Sequence, residues 1–372
     1  MIVYVFRSLA MWGGIERIIT EKASWLANLG YDVSILTADQ GDHPIAYSIN
    51  PSVHVEDLGI RLHQQYSYKG LRRLWTGWQL QRLFVSRLRS RLGQLRPDVV
   101  ITVATDYTEL VVKAVNDKVP VIVESHSIFR HTFNQWRHLT RYNNWRRHRS
   151  LSAASMIVAL TETDAAEWRQ YYSHVQCIPN FAHLNPTSRM GSHATHRVIF
   201  VGRFDNQKRP ELAIRIWQRV HPKHPDWELH IYGDGERRAS VADAASRAAG
   251  VVVHQPTTHI INAYCDCAFL MLTSLYEPFG LVIPEAMSCG LPVVAFDCPY
   301  GPRSIITDGA DGFLVAENDE QAFADSMGYL MDDAHLCSSM GIVAAQTAQR
   351  YAASQIMPRW QQLFEQFGAG SV

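Results

Sequence analysis

Glu277 and Glu285 stand eight residues apart in YEPFGLVIPEAMSCG, on either side of a Pro-Phe-Gly turn. Gly280 and Pro284 between them read as the start of a helix, with Pro284 in a first turn where a missing N–H costs little. The unpaired N–H groups of that turn, around Gly280 and Leu281, favour an anion such as a phosphate. A carboxylate beside an anion is repelled by it, so the natural partners of Glu277 and Glu285 are neutral hydroxyls of the kind a sugar or ribose presents. The plain alternative is a strand, turn and helix with both glutamates in solvent.

Three other stretches carry chemistry. In VGRFDNQKRPE (201–211), Arg203 and Lys208 share one loop. Two cations there can neutralise a diphosphate leaving group by charge-assisted hydrogen bonds in place of a metal, or form an ordinary solvated basic loop. No D-x-D pair and no His/Asp cluster with ligand spacing accompanies them, so no metal or other cofactor is expected. In RSLAMWGGIERI (7–18), Gly13 and Gly14 permit either a tight turn or a close backbone approach to a phosphate at a helix N-terminus. They do not make the G-x-G-x-x-G dinucleotide pattern. In VPVIVESHSIF (119–129), Glu124 and His126 emerge from an apolar strand. A histidine so placed can donate to a sugar hydroxyl or a diphosphate, or be an ordinary loop residue. The stretch PYGPRSIITDGADGFLV (299–315) carries D-G turn signals that read as structural.

Strands must hold these loops in place. IVYVF (2–6), DVSILT (32–37), VHVEDL (53–58), DVVITV (98–103), PVIVES (120–125), SMIVAL (155–160) and VQCIP (175–179) alternate with helical stretches. A polar run, 183–196, then reads as a linker. A second series follows with RVIFVGR (197–203), WELHIYG (227–233), VVVHQP (251–256), CAFLMLTS (267–274), PVVAFD (292–297) and GFLV (312–315). Continuous apolar strands alternating with helices predict an α/β protein with two doubly wound, Rossmann-like domains, 1–183 and 184–353. The amphipathic stretch SQIMPRWQQLFEQF, within 354–372, can pack back on the first of them. Each candidate loop then lies at the carboxyl end of a strand, where open α/β sheets bind ligands.

Composition narrows the class. The 372 residues are 47% hydrophobic and carry no net charge, which indicates a globular protein and excludes disorder. The balance hides an asymmetry, since residues 1–183 carry about +6 and residues 184–372 about −6. The six cysteines show no zinc or disulfide spacing and read as reduced core thiols. No apolar run spans a bilayer and MIVYVF is too short for a signal peptide, so a cytoplasmic location is expected. Two basic-aromatic stretches in the first half, 71–92 and 129–149, are suited to an anionic lipid surface on the inner face of the membrane, with a core-packed helix as the alternative.

Taken together, GGIER, ESH, VGRFDNQK, EPFGLVIPE and GPRSIITDGADGFLV resemble family four of the retaining glycosyltransferases, which have the GT-B fold of two Rossmann-like domains facing across a cleft. The resemblance runs over nearly the whole chain. It implies that Glu277 contacts the donor sugar near the reacting carbon and that Glu285 binds the ribose hydroxyls. By the same resemblance Arg203 and Lys208 hold the donor diphosphate, Gly13 and Gly14 approach phosphate or acceptor, and His126 lies near the transferred sugar. The implied reaction moves a sugar from a nucleotide sugar, most commonly uridine-linked, to a glycan or lipid-linked acceptor hydroxyl in envelope polysaccharide synthesis, with retention at the anomeric carbon and no metal. Ser304 departs from the pattern, since the family often has glutamate after Gly-Pro-Arg.

A nicotinamide-dependent dehydrogenase is disfavoured by the missing fingerprint, and no feature points to nucleic acid. A GT-B nucleotide-sugar epimerase would turn over without an acceptor. A non-catalytic sugar-nucleotide-binding protein would bind donor without turnover.

Overall fold

The computed structural model describes residues 1–133, 138–185, 190–191 and 195–370, the side chains of 138–143 excepted. Residues 134–137 of the basic stretch 129–149, and 186–189 and 192–194 of the expected linker, lie outside the described residues. The chain divides into two compact units, one made of Met1–Ile178 with the chain from Met357 onward, the other of Pro179–Ile356.

Among the described residues the first unit has a seven-stranded sheet, formed by β1 (Ile2–Phe6), β2 (Val33–Thr37), β3 (His54–Asp57), β4 (Val99–Val103), β5 (Val121–Glu124), β6 (Met156–Ala159) and β7 (Val175–Cys177). Their order is β3-β2-β1-β4-β5-β6-β7, with every neighbouring pair parallel. The second unit has six, β8 (Arg197–Val201), β9 (Glu228–Tyr232), β10 (Val251–His254), β11 (Phe269–Leu272), β12 (Val293–Phe296) and β13 (Gly312–Val315). They run β10-β9-β8-β11-β12-β13, again all parallel. The central strands β1, β4, β11 and β12 are buried at every position, as helices on both faces of a parallel sheet require. The expected doubly wound α/β class and both strand series are therefore present. Strand ends are trimmed where polar residues leave the ladder, as Thr273 and Ser274 do after β11.

The winding direction reverses between β1 and β4 in the first sheet and between β8 and β11 in the second. Those reversals open a crevice at the strands' carboxyl ends, where ligands enter such sheets. The last helix, Ala353–Gln366, belongs to the first unit from Met357 onward. There Trp360 covers the Lys22 ammonium at 3.7 Å, and Arg359 donates to the Cys177 carbonyl at 2.5 Å.

Candidate functional site

The second unit's site grows from the loops after β8 and β11. Asp205 Oδ1 accepts from the Gln207 and Lys208 backbone N–H groups at 3.0 and 2.9 Å, which folds the first loop into a tight turn. Arg209 follows in a left-handed conformation, and its guanidinium donates to the Thr273 and Ser274 carbonyls at 2.7 and 3.1 Å. Thr273 Oγ1 donates back to the Lys208 and Arg209 carbonyls, both at 3.0 Å. Gln207 bridges to Tyr276 O at 3.0 Å and accepts from the Leu275 N–H at 2.8 Å.

This stitching leaves Lys208 little choice of direction, and its ammonium meets Glu277 Oε1, which also accepts from Ser274 Oγ at 2.6 Å. Glu277 is only 2% exposed and Glu285 3%, so neither is the solvated residue of the plain alternative. Arg203 of the same loop points outward, 64% exposed, with Asp205 and Gln207 as partners at 3.1 and 3.2 Å. The loop thus presents one cation paired with a buried carboxylate and a second held at the surface beside it.

Gly280 has φ +88°, a left-handed conformation open to glycine at little cost, and turns the chain into the helix Val282–Ser288. The N-cap is Leu281, one residue later than the sequence suggests, and Glu285 lies in the helix's first turn. A second backbone segment closes on Glu277. The Glu277 N–H donates to Pro299 O at 3.3 Å, and Glu277 O accepts from the Gly301 N–H at 2.8 Å. Ser304, where the resemblance breaks, spends its hydroxyl on Tyr300 O at 2.7 Å within its own short helix.

The Gly301 contact leaves no room for a side chain, since a Cβ there would lie 2.1 Å from Phe279 O and 3.0 Å from Glu277 Cβ. Gly301→Ala must therefore shift the backbone that frames Glu277. The expected cost is about 1–3 kcal/mol in urea unfolding, as for overpacked interiors, with a matching loss of activity. An Ala variant with wild-type stability and rate would show that this backbone does not set the position of Glu277.

In the first unit, Gly13 caps the helix Gly14–Asn28 in an extended conformation that any residue adopts, so these glycines mark a helix start and not a strained turn. Glu16 and Asp106 follow β1 and β4, and burial raises the pKa of each carboxyl, opposed in both by the Arg7 guanidinium. His126 is not a surface residue. Its side chain is 2% exposed, with Nε2 at 2.8 Å from Glu124 Oε2. Glu124 in turn accepts from Lys22 Nζ with both oxygens, at 2.8 and 2.7 Å. Burial pushes the Glu124 carboxyl up, but Lys22 and His126 more than offset that and hold it at about 2. With Glu124 ionised, the ring turns an Nε2–H towards it.

The structure therefore brings Lys208 to Glu277, sets Arg203 beside them, and places His126 in a buried ionic chain. Lys22, Glu16 and Asp106 are members of the first-unit cluster that sequence reasoning missed. One signal was present: Ile18, Ile19, Lys22, Ala23 and Leu26 share a helical stripe, all buried, and a lysine on such a stripe needs an anion.

Comparison with known proteins gives the fold and the family. A variant of S. aureus TarM, solved with Fondaparinux, alpha-GlcNAc-glycerol and UDP, superposes with a TM-score of 0.78 over 98% of this chain and 99% of that one, at 15% identity. The fold is thus that of the GT-B glycosyltransferases. A family model described as Glycosyltransferase Family 4 matches residues 12–186, and one described as Glycosyl transferases group 1 matches residues 195–333. Taking most of the chain between them, these models make it a glycosyltransferase of the family-four type. An uncharacterized glycosyltransferase of Haemophilus influenzae is 25% identical over 94% of this chain and 95% of its own length. The amylovoran biosynthesis glycosyltransferase AmsD of Erwinia amylovora is 29% identical over 56% of this chain, which spans 61% of AmsD.

Proposed function

We propose that the chain is a retaining glycosyltransferase that moves a sugar from a uridine diphosphate sugar to a hydroxyl of a glycan or lipid-linked acceptor in envelope polysaccharide synthesis, at the cytoplasmic face of the membrane. The observation that carries this reading is the buried Glu277, gripped by Lys208 and Ser274 beside an exposed Arg203, at the reversal point of the second sheet. Support for the donor and the pathway comes from UDP in the TarM structure and from the name of AmsD.

On this reading Arg203 and Lys208 take the diphosphate, with the turn around Gly280 and Leu281 as a further N–H source. Glu277 accepts from hydroxyls of the donor sugar and Glu285 from those of the ribose. The bond from the anomeric carbon to the phosphate oxygen breaks as the acceptor oxygen joins the same face, and the departing phosphate takes the acceptor's proton. Charge grows on the leaving group, and the two cations stabilise it where it develops, without a metal. The first unit takes the acceptor on its loops, with Gly13 and Gly14 approaching phosphate or acceptor and His126, whose ring is held by Glu124, near the transferred sugar.

Thermal melting with UDP, GDP, ADP and NAD, with and without magnesium, tests the donor site. A ligand at a hundred times its Kd stabilises the folded state by about 2.7 kcal/mol, which raises Tm by roughly 3–4 °C in a protein of this size. UDP is expected to give that shift without magnesium, and Arg203→Ala to remove most of it. A response to NAD alone, or to no diphosphate, would sink the reading. Turnover of UDP-sugar without acceptor would favour an epimerase instead.

A further inference from the structure

The helix Gly70–Leu95 is two helices in character. Its C-terminal half buries Phe84, Val85, Leu88 and Leu92 in the first unit's core, and its arginines there are tied down: Arg87 to Leu58 O at 2.7 Å, Arg89 to Lys113 O at 2.8 Å and Arg91 to Glu56 at 2.6 Å. The N-terminal half does the reverse. Leu71, Leu74, Trp75 and Trp78, which sequence periodicity would equally well place in a core, are 85%, 70%, 60% and 55% exposed. At helical spacing the four share one side of the helix across two turns. Surface apolar residues are ordinary when scattered, but two tryptophans and two leucines on one stripe are not.

The charge around this stripe has one sign. From Leu58 to Pro97 the chain contains nine Lys and Arg residues and no Asp or Glu. Arg72, Arg73 and Arg82 stack on Tyr68, Tyr66 and Trp78 at 4.2, 4.6 and 4.6 Å from the ring centroids, cation over aromatic. Such stacking keeps each cation at the level of the apolar side chains and leaves its donors for a partner. Tryptophan and arginine together at one depth match the headgroup boundary of a bilayer, where the ring is half in hydrocarbon and the cation meets phosphate. A protein groove would accept the apolar stripe, but only an anionic surface also answers an acid-free run of cations.

We propose that the face carrying Leu71, Leu74, Trp75 and Trp78, flanked by Arg72, Arg73 and Arg82, docks the first unit on an anionic lipid bilayer. Of the second basic stretch, 129–149, Arg130 pairs with Glu167 at 3.0 Å and Arg146 and Arg147 meet Glu109 at 3.6 and 3.5 Å, so these three cations have partners in the protein, and the proposal rests on the helix alone. Among the described residues no helix is long and apolar enough to cross a membrane, so the contact is peripheral. This inference deepens the reading above by making the bilayer the source of the acceptor, yet lipid binding is measured without donor or turnover, and either can fail alone.

Cosedimentation of the full chain with phosphatidylcholine vesicles, with and without half phosphatidylglycerol, at 0.05 M and 0.5 M salt, decides it. Binding should appear with phosphatidylglycerol and weaken by at least roughly tenfold in its absence or at high salt. Arg72→Glu/Arg73→Glu and, separately, Trp75→Ser/Trp78→Ser should each weaken it roughly tenfold or more while Tm and UDP binding stay at the wild-type level, since these side chains are exposed. No binding to the anionic vesicles, or binding that both double variants keep, overturns the proposal. So does a lipid-free dimer that the tryptophan variant dissociates, which would assign the face to a second copy of the chain.

Discussion

Glu277→Ala should lower kcat/KM for sugar transfer by about 100- to 1000-fold, the range found when one preorganised polar group is removed from an active site. The argument rests on what the carboxylate holds. Its Oε1 accepts from both the Lys208 ammonium and Ser274 Oγ, and its backbone is clamped to Pro299 and Gly301. Without the carboxylate, Lys208 loses the anion that directs it and, on the proposed function, the site loses the acceptor for donor-sugar hydroxyls. Glu277→Gln keeps the shape and one acceptor oxygen but not the charge, so it should retain donor binding while still losing most of the rate. Initial rates at saturating donor and acceptor, set beside UDP binding by calorimetry, separate the two effects. Unchanged turnover in Glu277→Ala would remove Glu277 from the chemistry, and no turnover even in the wild type with intact UDP binding would point to a non-catalytic sugar-nucleotide-binding protein.

Lys22→Met should unfold the first unit more easily by about 3–5 kcal/mol, the cost of breaking a buried ion pair from one side. Lys22 and Glu124 are each 2% exposed in their side chains, and Trp360 closes the site from the last helix. An orphaned Glu124 would have only His126 for company. The double change Lys22→Met/Glu124→Leu removes both charges and should recover most of the loss, because a well-packed apolar pair replaces the ion pair's desolvation. Urea unfolding of wild type, single and double variants measures this. Equal destabilisation in single and double variants would mean that packing and not charge is what Lys22 supplies.

The same pair predicts acid sensitivity with a definite sign. The Glu124 carboxyl lies at about 2 in the folded chain against an ordinary 4.5, so its folded form holds its proton less tightly than the unfolded form. That contributes about 3 kcal/mol of stability above pH 4.5, lost as pH falls from there towards 2. In Lys22→Met the deficit relative to wild type should shrink over the same window, since the orphaned carboxylate can then take up a proton.

Much of the fold was legible because its signals are local. CAFLMLTS and IVYVF are apolar runs of strand length, and such runs between helical patterns belong to parallel sheets buried on both faces. The candidate site in the second unit was legible for the same reason: Arg203, Lys208, Glu277 and Gly280 all follow strand signals within a few residues. Less was legible in the first unit. His126 reads from sequence as a loop residue after a strand, but its ring is buried against Glu124 two residues earlier, which in turn meets Lys22 of a distant helix. Helical periodicity groups Leu74 and Trp75 with Val85 and Leu88, yet only the latter two meet the core. Periodicity reports a helix's apolar side and says nothing of how far along its length a neighbour extends.

What the sequence by itself determined is the strand series, the loops at their carboxyl ends and the residue types placed in them, since each depends on residues within a turn or two. Tertiary structure alone decided the pairings: Lys208 with Glu277, 69 residues apart, and Lys22 with Glu124, 102 apart. Strand order brings β8 beside β11 and β1 beside β4, and no local pattern encodes which strands become neighbours. A charge's partner is chosen by burial, because only where water is excluded must each ion find its counter-ion in the protein.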